Sequence, residues 1–81
     1  MDYQELGQQV ALLRKQQKLT QQQLADYCGL SRATLNALEN GRPGDVGTRK
    51  LIKILDILGY ELRLREKSPF PTLEELRDAQ R

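Results

Sequence analysis

Residues 20–41 read TQQQLADYCGLSRATLNALENG, and this segment encodes two short helices joined by a tight turn. Thr20 is a favourable N-cap, and Gln23 three residues later completes the sequence pattern of a capping box. Gly29 follows the first helix, where a helix end favours a residue that can adopt a positive φ angle. Ser31 can then cap the second helix. Helix, glycine-containing turn and helix in this order predict a helix-turn-helix unit.

The outward face of the second predicted helix is small and almost uncharged. Leu35 and Leu38 lie one turn apart and form its inward stripe, and small side chains on the opposite face would let the helix enter a DNA major groove. Asparagine can pair with adenine, alanine methyl groups can touch thymine methyl groups, and arginine can pair with guanine. In the alternative interpretation, the alanines only favour helix formation and the asparagines only cap its end. The residues of this face are Ala33, Asn36, Ala37 and Asn40, and Arg32 flanks it.

The segments LTQQQLA (19–25), GLSRATL (29–35) and LENG (38–41) together resemble the Xre/Cro/C1 family of DNA-binding domains. The resemblance extends over residues 4–59 and implies an all-α, lambda-repressor-like helix-turn-helix bundle of four to five helices. It also implies a role for each matching residue. Gln21 and Ser31 would touch phosphates, Arg32, Ala33, Asn36 and Ala37 would face bases, and Asn40 would lie against the DNA backbone.

The composition limits what else the chain can do. Its 81 residues allow one small domain, and a net charge of only +2 means that DNA binding must depend on where the charges lie. A single cysteine, Cys28, occupies an apolar position and predicts a core residue without an internal disulfide, which fits a reducing cytoplasm. The family resemblance implies that this is the bacterial cytoplasm and that the protein is nucleoid-associated. We expect no membrane association, no enzyme activity, no metal and no cofactor, because no signal peptide, long apolar run, histidine, glycine-rich phosphate loop or metal-ligand cluster is present.

Basic residues cluster at two places that flank the helix-turn-helix segment. The first predicted helix, residues 4–17, carries Arg14 and Lys15 in its last turn, with Lys18 directly after it. These cations suit the helix dipole and are also placed to contact phosphates. The second cluster would position the DNA backbone or would simply form a solvated face. Its members are Arg42, Arg49, Lys50 and Lys53.

Residues 48–58 predict a further helix that is apolar around most of its circumference, so we expect it to be buried on two sides. One side would cover the helix-turn-helix unit, and the other would meet a second subunit. Gly47 or Asp45 must serve as its N-cap.

The pattern changes to a period of two in residues 60–66, YELRLRE, which predicts a half-buried strand. Tyr60, Leu62 and Leu64 would face the helices. No other strand is evident, so the economical partner is the same strand of a second copy, in an antiparallel pair. An extended tail held only by side-chain packing is the alternative.

A domain of this type followed by LGYELRL (58–64) resembles the HipB antitoxins of bacterial HipBA toxin–antitoxin pairs, whose dimers are joined by a short intersubunit sheet. The correspondence extends over residues 4–66. It implies a repressor that binds a palindromic operator as a homodimer and also binds a HipA-like serine/threonine kinase toxin. The alternative is a free-standing Xre-family or phage-type transcriptional regulator without a toxin partner.

The predicted organisation has three parts: a DNA-binding domain (1–59), a dimerisation strand (60–66) and a tail (67–81). In the tail, Thr72 and Glu75 form the pattern of another capping box. The tail would either fray or bind the toxin. Its anchors would be Phe70, Leu73 and Leu76.

Overall fold

The computed structural model describes residues 1–42, 44 and 46–67, and this part of the chain forms four helices. The predictions for the tail, including the toxin anchors Phe70, Leu73 and Leu76, lie outside the described residues, as does Asp45. The all-helical prediction is confirmed for the described part. The helices are α1 (Tyr3–Gln16), α2 (Gln21–Cys28), α3 (Arg32–Glu39) and α4 (Thr48–Leu58).

The predicted caps fix where α2 and α3 begin. Thr20 and Gln23 form both bonds of the capping box, since Thr20 Oγ1 accepts from Gln23 N at 3.0 Å and Gln23 Oε1 accepts from Thr20 N at 2.8 Å. Gly29 ends α2 with a φ angle of +70°. Ser31 Oγ accepts from Thr34 N at 3.1 Å and starts α3. The turn between the two helices is therefore only three residues long.

The core lies where all four helices meet, and each helix contributes buried side chains, among them the predicted Leu35 and Leu38 of α3. Cys28 is fully buried and is confirmed as a core residue; burial raises the pKa of its thiol, against a smaller opposite effect of Lys53 and Lys50. The buried cluster consists of Val10, Leu24, Ala25, Cys28, Leu35, Leu38, Ile54 and Leu58.

Helix α1 crosses α3 at a glycine. A Cβ atom at Gly7 would collide with the carbonyl oxygen of Leu38, so the close approach of the two helices requires a residue without a side chain. This contact holds the N-terminal half of α1 against the end of α3.

Helix α4 has the predicted bounds and packs one side against α1 and α2. Gly47 is its N-cap residue, with a φ angle of +79°, and among the described residues no side-chain hydrogen bond caps this helix start. The opposite side carries Ile52, which is 42% exposed, so only one of the two expected buried sides is covered in the single chain. None of the described helices is long and apolar enough to cross a membrane.

The segment that follows α4 differs from the prediction. Tyr60 N donates to Leu55 O at 2.8 Å and completes the helix end, but no strand forms among residues 60–67. The expected inward orientation is wrong for the single chain, because Tyr60, Leu62 and Leu64 are 51%, 52% and 98% exposed. A lone strand cannot satisfy its own backbone groups, so pairing needs a second copy and stays a prediction.

Candidate nucleic-acid interface

Helix α3 presents the predicted face to solvent. Leu35 and Leu38 are fully buried against the core, whereas Asn36 and Ala37 are partly exposed on the opposite side. Arg32 and Ala33 at the helix start and Asn40 at its end are exposed. The amphipathic division of α3 is thus confirmed, and the role of these residues in DNA contact stays a prediction.

A buried ion pair fastens the end of α1 to the end of α3. Arg14 Nε lies 2.7 Å from Glu39 Oε2, Arg14 Nη2 donates to Glu39 Oε1 at 2.9 Å, and Arg14 Nη1 donates to Leu19 O at 2.7 Å. Both charged residues are only 8% exposed. The expectation that Arg14 contacts phosphate is therefore wrong, because the guanidinium is held inside the protein by this carboxylate.

The sequence indicates this ion pair through the helical positions of the two residues, although Arg14 stands among the basic residues at the end of α1. Arg14 lies one turn after Val10, and Glu39 lies one turn after Leu35, so each charge continues the inward stripe of its helix. Opposite charges on two inward stripes indicate a buried pair.

Gln21, Asn36 and Arg42 lie close together and continue outward from the ion pair. Gln21 Nε2 donates to Glu39 Oε1 at 3.0 Å, and Gln21 Oε1 accepts from Asn36 Nδ2 at 3.3 Å. Arg42 Nη2 donates to Asn36 Oδ1. We call Arg14, Glu39, Gln21, Asn36 and Arg42 the polar network; it joins the core to the outward face of α3.

The other predicted phosphate contacts surround this face. Ser31 is exposed beside the start of α3, and its hydroxyl is hydrogen-bonded to Thr34 Oγ1 at 2.8 Å. Lys15, Gln21 and Asn40 line one open concavity between α1 and the ends of α2 and α3. The paired charges of Arg14 and Glu39 line the same concavity, and Lys15, Gln21 and Asn40 carry the kind of donor groups that contact phosphates.

The second basic cluster is divided by the structure. Lys50 Nζ donates to Cys28 O at 3.2 Å and so binds the C-terminal end of α2. Arg42, Arg49 and Lys53 are exposed. Three of the four predicted cations therefore remain accessible to a polyanion.

Comparison with known proteins finds a matching family model and several relatives. The family model described as Helix-turn-helix matches residues 10–64. The chain is 42% identical over 52 residues to the uncharacterized HTH-type transcriptional regulator RghRB of Bacillus subtilis. These residues are 64% of this chain and 37% of that protein. It is 48% identical over 40 residues to the competence pilus inhibition repressor of Acinetobacter baylyi. These residues are 49% of this chain and 36% of that protein.

A third relative is the HTH-type transcriptional repressor RghR of Bacillus subtilis, 47% identical over 38 residues, which are 47% of this chain and 28% of that protein. The chain thus spans between 28% and 37% of the length of these curated relatives.

Proposed function

Because the chain belongs to the helix-turn-helix family, we propose that it binds a specific duplex DNA site and acts as a transcriptional repressor. The observation that carries this proposal is the outward face of α3, which is small, polar and fixed to the core by the polar network. The names of the relatives, a transcriptional regulator and two repressors, support the same function.

In this proposal α3 lies in the major groove. Arg32 and Asn36 would read base edges, with Ala33 and Ala37 against thymine methyl groups. The phosphate contacts would come from residues that border the groove-facing helix on both sides. They are Gln21, Ser31, Asn40 and Arg42.

We further propose that the protein binds as a homodimer on a palindromic operator. Two recognition helices would then lie about 34 Å apart in successive major grooves. The exposed apolar side chains of Ile52, Tyr60, Leu62 and Leu64 support this, because two copies that met there would bury apolar area that the single chain leaves exposed. Residues 60–66 of the two copies would pair as antiparallel strands.

The antitoxin role is a narrower hypothesis. It depends on the resemblance of residues 58–64 to HipB proteins, and it requires a HipA-like serine/threonine kinase as partner. The relatives are named as regulators and repressors, which favours the free-standing regulator. A direct test mixes the protein with a HipA-like kinase encoded beside its gene; absence of such a gene, or of a complex on size-exclusion chromatography, would eliminate this role.

The repressor proposal is tested by selection from a pool of randomised DNA duplexes. We expect repeated binding and amplification to enrich one palindromic sequence. The purified protein should then bind that sequence at least about a thousandfold more tightly than a scrambled duplex at the same salt concentration. Equal affinity for both duplexes would contradict sequence-specific DNA binding.

A further inference from the structure

Two side-chain amides in the polar network connect a group that only accepts hydrogen bonds to a group that only donates them. Glu39, paired with Arg14, is an ionised carboxylate and offers acceptors alone. Arg42 is a guanidinium and offers donors alone. Gln21 and Asn36 lie between these two ends, and each amide contacts the other.

The two ends determine which way both amides point. An amide that turns by half a rotation exchanges its oxygen and its NH₂ group. If Gln21 turned, its oxygen would face the carboxylate of Glu39, and its NH₂ group would face the NH₂ group of Asn36. If Asn36 turned, its NH₂ group would face the guanidinium of Arg42. One combination alone satisfies all three contacts, and it is the combination observed.

The orientation of Asn36 matters because an amide reads adenine with one donor and one acceptor side by side. In the observed arrangement Asn36 has its oxygen on the Arg42 side and its NH₂ group on the Gln21 side. Each of these groups makes one bond inside the protein, so a second N–H and a second lone pair are left for a base.

We propose that Gln21 and Arg42 are positioning residues that determine base preference at Asn36 by holding its amide in one orientation, with adenine as the base read. This inference rests on the proposed function, since it assigns the base read by the same face of α3. A guanine at that position presents two acceptors to the same amide, and its O6 would face the oxygen of Asn36.

The test uses the full chain and repeats the selection from randomised duplexes with five variants. Asn36→Ala identifies the base position that depends on the amide. Gln21→Met and Arg42→Met keep side-chain length but remove one link each, and Arg42→Lys keeps a group that only donates. Arg49→Met is the matched control, because it removes an equal charge from an exposed arginine outside the polar network.

We expect Asn36→Ala to abolish the adenine preference at one position of each half-site. Gln21→Met and Arg42→Met should lower the preference at that same position about five- to tenfold, and Arg42→Lys should retain most of it. Arg49→Met should weaken binding to all sequences alike and leave every base preference unchanged. Arg42 is exposed, so its variants report on the proposal even if Gln21→Met does not fold.

The possible failures are distinguishable. If the unaltered protein enriches no sequence, the proposed function fails, and the inference fails with it. If it enriches a site but Asn36→Ala changes no base preference, the inference alone is overturned. The same holds if Asn36→Ala changes one position while both methionine variants leave that position as it was, or if the position prefers a base other than adenine.

Discussion

Among single residues, Arg14 shows how one tertiary contact removes a cation from a DNA-binding surface. Its position at the end of α1 suggested a phosphate contact, but the carboxylate that binds it is 25 residues away in sequence. No rule based on neighbouring residues locates such a partner. The inward register of both residues was visible in the sequence, whereas the pairing depends on how α1 crosses α3 at Gly7.

The ion pair allows a prediction about stability. Replacing Glu39 with alanine leaves the Arg14 guanidinium buried without a counter-charge, which should lower the free energy of unfolding by about 3–5 kcal/mol. The double variant Arg14→Met/Glu39→Leu should lose much less, because neither charge then remains buried. Urea denaturation of the unaltered protein and both variants measures this; equal losses in the single and double variants would show that the unpaired charge of Arg14 is not the cause of the destabilisation.

Asn36 allows a prediction about DNA binding. Asn36→Ala should weaken binding to the selected site by about 1–3 kcal/mol and leave binding to scrambled DNA almost unchanged, because base contacts provide specificity and phosphate contacts do not. Fluorescence anisotropy with both duplexes at one salt concentration measures the two affinities. Asn40→Ala is the control and should weaken both, since Asn40 is expected to contact the backbone. An unchanged affinity ratio for Asn36→Ala would remove Asn36 from base readout.

Whole helices were the part of the fold that the sequence predicted best. The start of α2, the turn at Gly29 and the start of α3 depend on residues within four positions of one another, and both caps form as expected. The inward stripe of α3 follows from helical periodicity, and Cys28 was expected in the core, so these parts of the core were also predictable. The contacts among Gln21, Asn36 and Arg42 were not, because they require the relative placement of α2, α3 and the loop after α3.

The capping box of α2 gives a prediction at the level of this element. Thr20→Ala removes the acceptor for Gln23 N and should lower the free energy of unfolding by about 1 kcal/mol. Thr48→Ala is a matched control, since Thr48 is also an exposed threonine at a helix start but caps no helix. Chemical denaturation of both variants gives the comparison. Equal effects of the two substitutions would mean that the box adds nothing to helix stability.

For the molecule as a whole, the sequence pattern of residues 60–66 predicts an interaction that a single chain cannot make. The alternation of apolar and charged residues is clear, yet Leu64 is 98% exposed and the described segment forms no ladder. Strand pairing joins the backbone groups of two segments. The periodicity of residues 60–66 predicts that this segment can form a strand, but it does not identify the segment that pairs with it.

The dimer proposal leads to the last prediction. Leu62→Pro removes a backbone donor and should disrupt the proposed strand pair, while α1 to α4 stay folded because Leu58 is the last core residue in the described part of the chain. Sedimentation velocity should then show a weaker dimer, and affinity should fall more for the full palindrome than for a half-site, since linked half-sites no longer bind together. Lys67→Pro, just beyond the segment, is the control and should leave the dimer and the DNA affinity unchanged.

If truncation after Gly59 gives a dimer as tight as that of the full chain, the strand pair is not the interface. Ile52→Glu on the exposed side of α4 should then dissociate that dimer.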